Sequence, residues 1–326
     1  MNQPSLNLDN TLVEIRSLAI AMAKQEWVEL GSLMEEILPN PLNPFFLLSV
    51  ATGKACEGSI KRLIQVSAIL VLIDISLRVI DDCADRDNPN SLDRSIGFGR
   101  SINYAVALNT IAMRELLKIA IANHGSEDLI PYYFHSFLQV CKGQDRDMKS
   151  SVNSLQEYQE LVKIKTIPAY EFATVIGARM ASTDENAIAL SAKCGQHLGW
   201  MTQILDDIES LWFPVVENSR EIEKKTFPVL LGLNLDHPNA KIIEELLQRK
   251  EYDRVRICNL LDEMDVRTRL MNLALDHRDE AIKSLANLPN PEGKMILNIW
   301  LDWYLGDGEH LLKCDSEASK ASRWLI

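Results

Sequence analysis

The chain has 326 residues, with 34 basic and 46 acidic side chains, a net charge of −12, and apolar and charged shares of 47% and 25%. That balance is ordinary for a soluble globular protein and excludes nucleic acid or an anionic membrane surface as a general partner. Cys56, Cys83, Cys141, Cys194, Cys258 and Cys314 are scattered without a CxxC pair, which suits free thiols in a reducing cytoplasm better than a zinc site or a disulfide frame.

Met1 to Asn10 is polar and lacks the basic-then-apolar pattern of a secretory signal. Beyond it, apolar residues recur at three- and four-residue spacing and never alternate strictly. The pattern predicts helices over 9–38, 43–55, 58–84, 96–122, 128–147, 155–181, 185–212, 226–233, 238–248, 251–263, 266–287 and 291–312. Punctuation separates them at Leu38-Pro39-Asn40-Pro41, Asp87-Asn88-Pro89-Asn90, Asn123-His124-Gly125-Ser126, Phe213-Pro214, Asp236-His237-Pro238 and Leu288-Pro289-Asn290-Pro291. The most apolar stretch, Leu63 to Ile80, is interrupted by Gln65, Asp74 and Arg78 and reads as a buried core helix rather than a membrane span. None of the breaks is long enough for an interdomain linker. The economical fold is all-α, one helical domain over 1–326, with an N-terminal helix to residue 38 and a loosely held tail at 315–326.

Two acidic clusters end apolar helical segments: Asp81-Asp82-Cys83-Ala84-Asp85 and Asp206-Asp207-Ile208-Glu209. Asp81 and Asp85, at i and i+4, share a helix face, as do Asp206 and Glu209 at i and i+3. Like charges beside an apolar run are costly unless a cation neutralises them. Hard oxygen ligands favour Mg²⁺, which binds through a few carboxylates plus substrate phosphates. Four other segments fit around the clusters. They are Gly143-Gln144-Asp145-Arg146-Asp147, Lys163-Ile164-Lys165-Thr166 just before a helix-bending Pro168, Gln203 one turn before Asp206, and Lys224-Lys225-Thr226-Phe227-Pro228.

From about Leu42 to Leu312 the chain resembles the trans-isoprenyl diphosphate synthases, the all-helical isoprenoid synthase family. The resemblance rests on the order of DDxxD at Asp81, GQxxD at Gly143, KT at Lys165, GxxxQxxDD at Gly199 and KKTFPVL at Lys224. It implies a helical bundle around a central cavity, three Mg²⁺ and an allylic diphosphate such as geranyl, farnesyl or geranylgeranyl diphosphate. By position, Asp81, Asp82 and Asp85 would hold two metals and Asp206, with Asp207 and Glu209, the third. Lys165 and Lys225 would donate to the diphosphate, with Lys224 and Arg94 nearby, and Thr166 and Gln203 would face the leaving group or the cation. Ser76, Leu77 and Ile73 would floor the cavity, and since none is aromatic the resemblance implies room for a C15 or C20 chain. The family also implies a homodimer and a cytoplasmic enzyme.

Departures from the family pattern gather on the second substrate site, the one for isopentenyl diphosphate. The segment aligning with GKxxRP reads Pro39-Asn40-Pro41-Leu42-Asn43-Pro44, Asp74 stands seven residues before Asp81, and the paired arginines after DDxxD are missing. Stripped of charge-assisted contacts, that site would bind a diphosphate poorly. The expectation is therefore a terpene synthase that ionises its substrate and cyclises, deprotonates or hydrates the cation. The alternatives are a true prenyltransferase using Lys54, Arg78 or Arg94, and a non-catalytic subunit, against which the retained aspartates and lysines argue. Several features carry plainer readings. Asp145 and Asp147 would be helix-end surface groups, Asp74 would pair with Arg78, and His197 would pack. Trp200, Trp212, Trp300 and Trp303 would serve the core or an interface, with the ring faces of Trp200 and Trp212 a lesser option for holding a cation.

Overall fold

The computed structural model describes residues 7–85, 88, 90–122, 128–149, 152–214 and 220–306, the side chain of residue 220 excepted. Among the described residues there is no strand. The helices are α1 (Leu8–Glu26), α2 (Val28–Ile37), α3 (Leu48–Ala55, entered through a 3-10 turn at Pro44–Leu47), α4 (Ile60–Asp85), α5 (Leu92–Ile96), α6 (Phe98–Ala122), α7 (Leu129–Met148) and α8 (Leu155–Lys165). They continue as α9 (Ile167–Arg179), α10 (Glu185–Trp212), α11 (Arg220–Glu223), α12 (Phe227–Asn234), α13 (Pro238–Gln248), α14 (Arg254–Asp262), α15 (Val266–Ala286) and α16 (Pro291–Leu305).

Local chemistry explains the boundaries. Asn7, Ser154, Asp184 and Asn290 each accept a backbone N–H of the first turn of α1, α8, α10 and α16, satisfying a donor that has no intrahelical partner. The helix expected over 9–38 is two helices. Trp27 is extended at φ −152°, and its ring meets Tyr104 edge-on at 4.8 Å. The helix expected over 155–181 likewise breaks at Thr166, with Pro168 in the first turn of α9, where its missing N–H is harmless.

The core runs along α4, where Leu63, Val66, Ala68, Ile69, Val71 and Leu72 are fully buried. By length and composition α4 could cross a membrane, but 67% of its apolar window is buried in the fold, which makes it a core helix. It packs on α6, while α10 packs between α9 and α15 and α3 sits against α9 and α16. Buried hydroxyls tie these layers together: Ser49 with Ser67 at 2.6 Å, and Thr52 Oγ1 donating to the Thr174 carbonyl at 2.7 Å. Cys56, Cys194 and Cys258 are buried free thiols.

The contact of α10 with α15 contains His197 and His277, whose Nδ1 atoms are 2.9 Å apart, so one ring donates and the other accepts, and the accepting ring is neutral. Trp200 stacks on His277 with centroids 5.9 Å apart, which gives this tryptophan a packing role rather than a place beside a cation. Burial, and then the neighbouring His197, push the His277 pKa down to about 4. An unfolded histidine titrates near about 6.5, so between these values the unfolded chain binds more protons and stability falls as pH drops. The urea midpoint is expected to be lower at about pH 5 than at about pH 7.5. His277→Phe should narrow that gap, and an undiminished gap in the variant would refute this assignment.

Candidate active site

Asp147, in the last turn of α7, is the side chain around which the cations are arranged. Its Oδ2 accepts from Lys165 Nζ at 2.8 Å and from Lys224 Nζ at 2.7 Å. Burial alone would raise the Asp147 pKa, but the two ammonium groups outweigh it and hold the carboxyl below its ordinary value. Lys165 ends α8, and burial would lower its pKa. The charges of Asp147 and Asp81, together with that of Asp85, reverse the sign and keep it raised. Lys165 therefore sits in the field of the first acidic cluster. Gly143 makes the approach feasible, since a Cβ there would lie 2.4 Å from Lys165 Cα.

This arrangement corrects the expectation on two points. Asp145 is an exposed partner of Lys149, as a helix-end group should be, but Asp147 is a partly buried anchor for two lysines. Of the adjacent lysines, Lys224 joins Lys165, whereas Lys225 turns away and donates to Asn153 Oδ1 at 2.9 Å. Lys225 has φ +53°, a left-handed backbone uncommon for a residue with a Cβ.

In α10, Gln203, Asp206 and Asp207 face different partners. Thr166 Oγ1 donates to Gln203 Oε1, and Gln203 Nε2 donates to Asp207 Oδ1 at 2.9 Å. Asp207 Oδ2 accepts from the Tyr158 hydroxyl and from the Phe227 N–H at 3.0 Å. Both Asp207 oxygens are thus engaged inside the protein, and burial pushes its pKa up to about 6 despite three donors. This departs from its expected role as a metal ligand: Asp207 ties α8, α10 and α12 together. Asp206 instead accepts from the Tyr304 hydroxyl of α16 at 2.9 Å, and its charge reaches Arg78 on α4. Glu209, one turn on, is partly exposed.

The first cluster closes α4. Asp81 is exposed, Asp82 and Asp85 are partly exposed, and Asn88 Nδ2 donates to Asp82 at 3.3 Å. Among the described residues no three His, Cys, Asp or Glu side chains converge on one point. The donors present are hard carboxylate oxygens, the ligand type Mg²⁺ takes alongside water and phosphate oxygens.

Along α4 from this cluster lies an apolar cleft of about 570 Å³ of unfilled space, part of it open to solvent, and its wall includes Ile73 and Leu77. Ser76 does not line it. Its hydroxyl donates to the Ala105 carbonyl at 2.8 Å and fastens α4 to α6. Rings enter the cleft from other elements, among them Phe45, Tyr133, Phe137 and Phe172, so the absence of aromatics on α4 does not by itself leave it roomy. Asp74 pairs with Arg78 at 2.7 Å, as the i, i+4 spacing suggested. Arg94 is exposed on α5. Trp212 takes the Arg267 guanidinium over its ring at 5.4 Å, so its face is used structurally. Sequence reasoning quoted Asp147 within its motif but read it as a surface group, and it did not single out Tyr158 or Tyr304. The GQxxD spacing could have pointed to Asp147, but nothing in the sequence marks the two tyrosines.

Residues 45–264 match the model of the polyprenyl synthetase family. The tryptophan prenyltransferase ComQ of Bacillus subtilis subsp. natto is 22% identical over 255 residues, covering 75% of this chain and 78% of that protein. A geranylgeranyl diphosphate synthase of Sulfolobus acidocaldarius is 27% identical over 223 residues, covering 63% and 67%. In three dimensions, a polyprenyl synthase of Caulobacter crescentus, crystallised with calcium and isoprenyl diphosphate, superposes with a TM-score of 0.75 at 18% identity, over 93% of this chain and 99% of that one. Motif order, helical architecture and family match agree, and the chain belongs to the polyprenyl synthetase family.

Proposed function

We propose that this protein is a Mg²⁺-dependent prenyltransferase that ionises an allylic prenyl diphosphate (geranyl, farnesyl or geranylgeranyl) and transfers the prenyl group to a second substrate. The observation that carries this reading is the pair Lys165 and Lys224 held on Asp147, with Lys165 in the field of Asp81 and Asp85. Two cations sharing one carboxylate keep a net positive charge for an anionic leaving group. Asp81, Asp82 and Asp85 would hold two ions and Asp206 with Glu209 a third, while Lys224 takes the role first given to Lys225. Bound metal would supply Lewis-acid stabilisation of the charge that builds on the diphosphate. Lys165 and Lys224 would grip the diphosphate oxygens, Thr166 and Gln203 would face the reacting carbon, and the cleft would keep water from the cation.

The terpene synthase reading, in which the cation is cyclised, deprotonated or hydrated, is not supported by the relatives above, which are named as synthases and transferases. Transfer fits them better. A homodimer and a cytoplasmic setting remain part of this reading. Two neighbouring helices offer a surface for the dimer, since α6 exposes Val106, Leu117 and Ile121 and α7 exposes Phe134 and Leu138.

Diphosphate release from an allylic substrate should stop with a chelator, return with Mg²⁺, and fall by about 100-fold or more in Asp81→Asn. Release indifferent to both would end the proposal. Lys224→Ala should cost about 10- to 100-fold in kcat/KM, the worth of one to two charge-assisted hydrogen bonds. Lys225→Ala should cost less than about threefold, and the reverse order would return the site to Lys225. Light scattering should give twice the monomer mass, and Leu138→Glu should reduce it; an unchanged monomer would refute the dimer.

A further inference from the structure

Tyr304 stands in the last turn of α16, a helix seated firmly on α3. At its start the Asn290 N–H donates to the Ala55 carbonyl at 3.1 Å, and Glu292 pairs with Lys54 at 2.9 Å. Gly293 allows the close approach, since a Cβ there would lie 2.4 Å from the Ala51 carbonyl oxygen. Further along, Ile296, Leu297, Trp300 and Leu301 are buried. The Tyr304 ring is buried as well, stacked on Trp300 with centroids 5.1 Å apart and met edge-on by Trp303 at 6.0 Å. Packing of this kind locks a rotamer, and so fixes where the hydroxyl points. It points at Asp206 Oδ1 on α10, 2.9 Å away.

Asp206 is partly exposed, so a carboxylate tied to the core stays within reach of solvent. Its charge acts on Tyr170 of α9 and on Arg78 of α4. A phenol ordinarily titrates near about 10, so at neutral pH Tyr304 donates and, being neutral, leaves the carboxylate its full charge for a cation. Arg78 is a different neighbour, because a guanidinium that draws Asp206 toward α4 competes with a metal. Asp207 does not take over, since its oxygens are engaged with Tyr158, Gln203 and the Phe227 N–H. The hold of the second acidic cluster on a divalent ion therefore depends on how Asp206 is presented. Hydrogen bonds from outside the coordination sphere orient ligating carboxylates, and losing one typically costs about 10- to 100-fold in metal affinity. Resting on the Mg²⁺-dependent reading above, we propose that Tyr304 is a positioning residue whose hydroxyl orients Asp206 for the divalent ion of the second acidic cluster and holds it against the pull of Arg78. The affinity for that ion is thereby tied to the seating of α16 on α3.

The test titrates the full chain with Mn²⁺ in the presence of inorganic pyrophosphate, reading unbound ion by electron paramagnetic resonance. Tyr304→Phe keeps the ring, removes the hydroxyl, and should weaken one of the bound ions by about tenfold or more. In an Asp206→Asn background the same change should weaken the remaining binding by less than about twofold, because Tyr304 acts through that carboxylate. An equal loss in both backgrounds is the mark of a purely structural role and would overturn the proposal. A second measurement does not depend on the variant's folding. With 3-fluorotyrosine in place of Tyr304, the fluorine resonance should shift when Mg²⁺ and pyrophosphate bind, and a resonance unmoved at saturation would also overturn it. Mn²⁺ binding that Tyr304→Phe leaves unchanged, with diphosphate still released from geranyl, farnesyl or geranylgeranyl diphosphate, would overturn the inference and leave the prenyltransferase reading intact. Wild-type protein that binds no Mn²⁺ alongside pyrophosphate would bring down the Mg²⁺-dependent reading and this inference with it.

Discussion

One partly buried carboxylate, that of Asp147, fixes both cations of the site. Lys165 and Lys224 come from separate parts of the chain, and without a shared anion their ammonium groups would repel one another at this distance. Asp147 holds them 2.8 and 2.7 Å from the same oxygen. Because one negative charge serves two positive ones, the trio stays cationic within a protein whose net charge is −12. The close approach of α7 to the end of α8 is a condition of this geometry. A side chain at position 143 would collide with the Lys165 backbone, so the glycine and the aspartate four residues later act together.

The second acidic cluster divides its work between neighbours. Successive residues on a helix point about 100° apart, so Asp206 and Asp207 cannot serve one ligand from the same direction. Asp207 is enclosed and accepts from Tyr158, Gln203 and the first amide of α12. That amide belongs to a helix N-terminus, whose partial positive charge favours an anion. Burial nonetheless dominates, and the carboxyl titrates at about 6. The effect is to pin the segment carrying Lys224 against the body of the bundle. Asp206 accepts from Tyr304, and its charge reaches Arg78 on α4.

Periodicity made the helices legible, because an amphipathic stripe is a property of local spacing. What spacing cannot encode is a helix's rotation about its axis relative to its neighbours. Ser76 and Leu77 are adjacent, yet one fastens α4 to α6 and the other lines the cleft. Asp145 and Asp147, two residues apart, must point to nearly opposite sides, so only one could reach inward. The sequence offered no way to choose between them beyond the motif. The lysine pair was harder still, since the outcome turns on a left-handed backbone at Lys225 that nothing in KKTFP announces. The split at Trp27 was hidden for a similar reason. Helical propensity continues through it, and the break is set by a tertiary contact with Tyr104.

The Asp74–Arg78 pair is poorly explained as a stabilising device. Partly buried ion pairs lose hydration that their mutual attraction barely repays, and apolar side chains of like volume are often as good or better. At this point of α4 an apolar pair would also have continued the hydrophobic run that makes the helix a core element. The pair does supply a wall that is polar yet neutral, with the guanidinium flattened on Phe45 and reaching toward Asp206. A lone arginine would oppose a carbocation, and a lone aspartate would trap it or attract stray metal. Together they leave this part of α4 electrically quiet, while the acidic clusters and the Asp147-held lysines concentrate charge elsewhere in the site.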